Sequence, residues 1–209
     1  MSLVWYVGYG SNLSRERFDH YLRGGRPPGA LRGVPGCRDA SPPVESRAVW
    51  LPGEVFFGWE STTWGGGVAF LDPTAPGTAP GLAHLVTAGQ FADVAAQEMH
   101  RDPGQDLDLT HVLRERSHEL GPGRYETLHL LGELDGHPML TFSAADAASL
   151  PRNAPTAAYL HKMADGLRES HGMDDDQIAA YLASRPGAEA WTTAAVAEAI
   201  SSDGPDCRR

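Results

Sequence analysis

The distribution of apolar periodicities along the chain most constrains its fold. Strand-like runs, β-branched, aromatic or alternating, crowd the first two thirds, and helical spacings fill the last third. Strands are predicted over 4–9, 47–51, 54–59, 67–71 and 82–86, followed by a hairpin over 125–142. That hairpin turns at Asp135-Gly136, a strong type I′ signal. A helix is predicted from Ser14, a capping residue, to about Leu22, with Phe18, Tyr21 and Leu22 on one face and Gly24-Gly25 stopping it. Residues 24–43 are rich in Gly, Pro and Arg and predict a long loop or irregular strand. Thr87 and Gln90 form a capping box before a helix that runs to about His100. Thr156, Asp174-Asp175-Asp176-Gln177 and Thr192 or Thr193 open three further helices, ending at Gly172, at Arg185-Pro186-Gly187 and near Ile200. Strands first and helices last predict an α+β fold, a closed or strongly curved sheet with helices packed on it.

A chain of 209 residues suits one domain, here 1–200 with a flexible tail over 201–209. It can bury about 70% of its unfolded surface and needs no disulfide or metal to fold. The apolar runs are far shorter than the roughly 20 residues of a membrane span. Met1 to Tyr6 shows no basic n-region, so a cytoplasmic protein without an export signal is expected. A formal net charge of −10 argues against nucleic acid or an anionic membrane as partner. Cys37 and Cys207 form no CxxC pattern and read as free thiols.

Two places carry chemistry. Tyr9-Gly10-Ser11-Asn12-Leu13 lies between a strand and a helix, where glycines allow close backbone approach and a helix start offers free N–H groups to a carboxylate or an oxyanion. A tight turn capped by Asn12 or Ser14 is the plainer reading. The second is Glu98, four residues after Val94 and seven after Phe91, hence on the apolar face of its helix. Burial raises a carboxyl's pKa toward neutrality, where a general acid/base works best. Pairing with Arg101 or simple exposure is the alternative. His100, His111 and His118 match no common ligand spacing, so no metal is expected. Trp59, Trp64 and Gly65-Gly66-Gly67 suit either a cleft or a core and loop. A helical face at Tyr181 and Leu182 is the candidate surface for a homodimer.

Tyr6-Val7-Gly8-Tyr9-Gly10-Ser11-Asn12-Leu13 resembles the N-terminal YGSNL signature of the γ-glutamylcyclotransferase-like proteins. Trp64 to Ala69 resembles that family's Gly-Gly strand, and Gly81 to Val86 the strand before its catalytic helix. Gln97-Glu98 falls where the family carries its glutamate, and Ala154 to Tyr159 resembles its Pro-x-x-x-Tyr segment. The resemblance runs over roughly 4–185. It implies a small mixed β-barrel flanked by helices, with Glu98 as acid/base and Tyr9, Gly10, Ser11, Asn12, Leu13 and Tyr159 around the substrate. The implied reaction turns a small γ-glutamyl compound into 5-oxoproline and a free amine or amino acid, with no metal or organic cofactor. A related hydrolase or acyl-transfer enzyme, or a non-catalytic binding protein on the same barrel, are the alternatives. Two positions depart from the pattern: Met99 follows the glutamate in place of Gly, and Phe142 stands where a tyrosine is often found.

Overall fold

The computed structural model describes residues 2–26, 33–147 and 149–201; Cys207 and the tail expected beyond Ser201 lie outside them. Its strands are β1 (Leu3–Gly8), β2 (Glu45–Pro52), β3 (Glu54–Gly58), β4 (Val68–Asp72), β5 (Thr78–Thr87), β6 (Ser117–Glu119), β7 (Thr127–Leu134) and β8 (His137–Ser143). Its helices are α1 (Arg15–Arg23), α2 (Ala88–Glu98), α3 (Thr110–Glu115), α4 (Ala157–His171), α5 (Asp175–Ala183) and α6 (Thr193–Ile200). The fold is α+β. The expected caps are in place: Ser14, Thr87, Thr156, Asp174 and Thr192 each accept a backbone N–H in the first turn. Asp135 and Gly136 both take positive φ (49° and 75°), as the β7–β8 turn requires.

Six strands form one mixed sheet in the order β2-β5-β1-β8-β7-β6, in which β1 runs antiparallel to β5 and parallel to β8. Successive residues of β1 serve two cores. Trp5 and Val7 pack with the β3–β4 hairpin and α4–α6, while Val4 and Tyr6 pack with α1 and α2. Burial on both faces explains why β1 reads as a near-continuous apolar run.

Among the described residues the sheet does not close: β2 and β6 are its edges, and β3 and β4 form a separate hairpin, with one isolated bridge from Gly58 to Arg152. The barrel expected from the resemblance is therefore open, and β4 shows the physical reason. The Tyr159 hydroxyl accepts the Ala69 amide at 3.0 Å, and the Tyr125 hydroxyl donates to the Ala69 carbonyl at 2.8 Å. Ser143 Oγ accepts the Leu71 amide at 3.1 Å and donates to the Leu71 carbonyl at 2.7 Å. Alternate residues of an antiparallel strand send both backbone groups to one side, so three hydroxyls stand where another strand would pair. On α5, Leu182 is fully buried and faces the core, while Tyr181 is partly covered, with Arg185 over its ring at 4.7 Å. Among the described residues no helix is long and apolar enough to cross a membrane.

Candidate active site

The site grows from the end of β1. A Cβ on Gly8 would lie 2.8 Å from the Asn12 carbonyl oxygen and 2.9 Å from Asn12 Cβ, so only glycine lets the chain fold back over the strand end. The fold-back is a 3-10 turn over Ser11–Leu13, closed by the Leu13 amide on the Gly10 carbonyl at 3.0 Å. Leu13 is buried beneath α4, whose Gly166 approaches so closely that a Cβ there would sit 2.5 Å from Leu13 Cβ. Helix α4 thus holds the turn from behind.

Glu98 arrives from α2. Phe91, Val94 and Ala95 are fully buried, which fixes the helix phase; burying a Phe or Val side chain stabilises by about 1.5–3 kcal/mol. Buried Gln97 adds polar fixation. Its Nε2 donates to the Tyr21 carbonyl at 3.0 Å, and its Oε1 accepts the Gly36 amide at 3.1 Å. Glu98 is the last residue of α2, the negative end of the helix dipole, so the helix gains nothing from a carboxylate there. The carboxylate instead meets the turn. Asn12 Nδ2 donates to Glu98 Oε1 at 2.9 Å and to the Tyr6 hydroxyl at 2.8 Å, while Asn12 Oδ1 accepts from Arg17 Nε at 3.2 Å.

Around this junction lies a cavity of about 50 Å³, room for a few water-sized groups. Its walls include Tyr6, Tyr9, Gly10, Ser11, Asn12, Glu98, Tyr125, Thr141, Phe142 and Tyr159. A Cβ on Gly10 would meet Ala69 Cβ and the Tyr159 hydroxyl at 3.1 Å each, narrowing this space. Burial, and after it the Glu98 charge, holds the Tyr6 and Tyr21 phenols well above their ordinary pKa. Burial pushes Tyr159 up to about 12. These phenols are hydrogen-bond donors at neutral pH. The Tyr159 oxygen accepts the Ala69 amide and lies against the Ser11 amide, which leaves its own proton to point elsewhere.

The structure therefore brings Glu98, Tyr9, Gly10, Ser11, Asn12 and Tyr159 to one cavity. Leu13 is not in its wall and serves as the turn's buried anchor. The Asn12 side chain is committed to Glu98, Tyr6 and Arg17 rather than left free for a ligand. The sequence reading did not single out Tyr6, Arg17, Tyr125 or Thr141. Arg17 and Tyr21 share a helix face at i and i+4, a spacing that carried a signal; Tyr125 carried none. Trp64 lies near the site, its ring 5.3 Å from that of Tyr159. The His111 and His118 rings are 4.5 Å apart, but no group of three metal-ligating side chains occurs among the described residues.

No family model matches the chain. Histone deacetylase 5 of Arabidopsis thaliana is 31% identical over 200 residues, covering 86% of this chain and 30% of that protein. The chain thus spans less than a third of its curated relative's length. Among solved structures, an uncharacterized protein from Homo sapiens superposes with a TM-score of 0.50 at 17% identity, over 89% of this chain and 90% of that one. A γ-glutamyl cyclotransferase superposes with a TM-score of 0.49 at 15% identity, over 88% and 89%. The human structure shares the fold; neither likeness by itself assigns an activity.

Proposed function

We propose that the chain is a γ-glutamyl cyclotransferase in which Glu98 is the acid/base. One observation carries the reading. A carboxylate from the end of α2 is hydrogen-bonded at 2.9 Å to the Tyr9-Gly10-Ser11-Asn12-Leu13 turn, at a cavity walled by buried tyrosines. The resemblance of that turn to the YGSNL signature supports it.

In this reading the α-amine of a γ-glutamyl group attacks its own γ-carbonyl carbon. A ring C–N bond forms as Glu98 takes the proton from the attacking nitrogen. Glu98 then gives a proton to the leaving nitrogen, the original amide bond breaks, and 5-oxoproline and a free amine result. Folding the chain of the substrate in a narrow cavity makes the step intramolecular and gains the advantage of proximity. The Tyr159 hydroxyl, its oxygen held by the Ala69 amide, is the donor suited to the developing oxyanion. The reaction transfers no electrons, and its proton traffic is balanced by one carboxylate.

Product identity tests this. Incubation with γ-glutamyl amino acids and γ-glutamyl amines, followed by mass spectrometry, yields 5-oxoproline if the amine is the nucleophile. Glutamate would mean that water attacks and that the chain is a hydrolase. Ligand binding with neither product would mean a binding protein.

A further inference from the structure

A second opening runs along α1. Its walls come from α1, from the segment 42–46 and from His84 of β5, and none of these wall residues belongs to the cavity at Glu98. It is an open groove of about 520 Å³, a size that suits a small ligand. Phe18, Leu22, Pro42, Pro43 and Val44 supply its apolar surface. His84 is only 1% exposed, and its ring is held in two ways: Nδ1 lies 2.8 Å from Ser46 Oγ, and Phe18 stacks on the ring at 4.0 Å. The other ring nitrogen, Nε2, is buried without a hydrogen-bond partner among the described residues. Buried polar atoms left unpaired are few in folded chains, and this one stands in the wall of a groove.

Burial, and after it the Arg15 charge, keeps His84 neutral, so an uncharged group is the one suited to meet Nε2. A hydroxyl both donates and accepts, and therefore suits either tautomer of the ring. The rim has the opposite character. Glu16, Asp19 and Glu45 bring three carboxylates against one guanidinium, Arg15, which reaches Glu169 of α4 at 3.5 Å. Asp19 and Glu45 pair with Arg23 and Arg47, whereas Glu16 has no ion pair among the described residues. A cation is the charge that such a rim accepts. We propose that the groove between α1 and the segment 42–46 is a second binding site, for a small amine whose apolar body ends in a hydroxyl. The hydroxyl meets His84 Nε2, the body lies against Phe18 and the two prolines, and the ammonium meets Glu16. This assignment does not depend on the cyclotransferase reading.

Tyramine is the probe. Phenethylamine, which lacks the hydroxyl, and p-cresol, which lacks the amine, are the controls. Each is titrated into wild type, His84→Phe and Glu16→Gln, with affinity read by calorimetry and the site located by backbone amide shifts in NMR spectra. Tyramine should bind the wild type about tenfold or more tightly than phenethylamine, as a hydrogen bond to an otherwise unpaired buried atom requires. It should also shift the amides of Phe18, Val44, Ser46 and His84. His84→Phe keeps a ring on Phe18 and should lose the preference for the hydroxyl. Glu16→Gln should weaken both amines and leave p-cresol unchanged. Thermal unfolding shows that each variant is folded, and the wild-type comparison of the three probes stands without them. A preference for tyramine that survives in His84→Phe overturns the proposal. So do shifts confined to the residues around Glu98, equal binding of all three probes, or no saturable binding of tyramine.

Discussion

Replacing Gly166 by alanine sets two measurable effects against each other. In a helix interior alanine is favoured over glycine by about 0.8–1 kcal/mol. Gly166 lies in the body of α4, and propensity alone predicts that the substitution stabilises. The new Cβ would, however, sit 2.5 Å from Leu13 Cβ, 2.9 Å from the Leu13 carbonyl carbon and 3.1 Å from the Ser14 amide nitrogen. Carbon atoms in comfortable contact are about 3.5–4.0 Å apart, so one neighbour must retreat by about 1 Å. Two of the three obstructing atoms are backbone, in a turn held between β1 and α1, so the overlap cannot be relieved by a rotamer change. Overpacking of this kind costs typically about 1–3 kcal/mol. Less the propensity gain, this range leaves a loss of about 0–2 kcal/mol; an overlap of about 1 Å against backbone belongs to its upper half, about 1–2 kcal/mol or roughly 2–8 °C in melting temperature for a chain of this size. Thermal and urea unfolding of wild type and Gly166→Ala measure it. A variant as stable as wild type, or more so, would refute the claim that α4 clamps the turn.

Ser143→Ala removes the hydroxyl that serves both backbone groups of Leu71 and should cost about 1–3 kcal/mol in urea unfolding; an unchanged midpoint would mean that β4 does not depend on side-chain capping. His84 is buried, stacked on Phe18 at 4.0 Å, and burial, assisted by Arg15, lowers its pKa from 6.5 to about 3. The folded imidazole stays neutral while the unfolded one takes up a proton. Stability is therefore full above about pH 6.5 and is lost as pH falls toward 3, by on the order of 4 kcal/mol. His84→Phe should flatten that slope, and an identical slope in the variant would sink the assignment. Tyr159→Phe should lower kcat on the order of a hundredfold if its hydroxyl meets the oxyanion; a wild-type rate would remove it from the chemistry.

What could be read from the sequence was local. Capping side chains at Ser14, Thr87, Asp174 and Thr192, and the Asp135-Gly136 turn, act over three or four residues and so announce themselves. Glu98 was legible because Phe91, Val94 and Ala95 fix the phase of its helix. β5 is longer than its apolar run suggests. The strand was expected to begin at Leu82, but Thr78 to Gly81 extends it by pairing with β2 alone, where a proline without an N–H at position 80 is tolerated. α3 and β6 are six and three residues long, too short for a periodic signal. The open sheet depends on Tyr125, Ser143 and Tyr159, which lie 56 to 90 positions from the strand they cap; Tyr159 was expected near the substrate, but no local pattern shows that any of the three caps β4. Arg17 was hidden for a related reason. Arg17 holds Asn12, and it is that amide which meets Glu98 from another helix, a relation no local spacing shows.

The measurement that bears most directly on the account is 5-oxoproline release from a panel of γ-glutamyl amino acids, γ-glutamyl amines and glutathione, run with wild type and Glu98→Gln. The glutamine keeps an oxygen to accept from Asn12 but cannot exchange a proton, so the fold should persist while the rate falls about 10²–10⁴-fold. Release by wild type that collapses in the variant is the predicted result. Equal rates in the two proteins, or glutamate in place of 5-oxoproline, would contradict it.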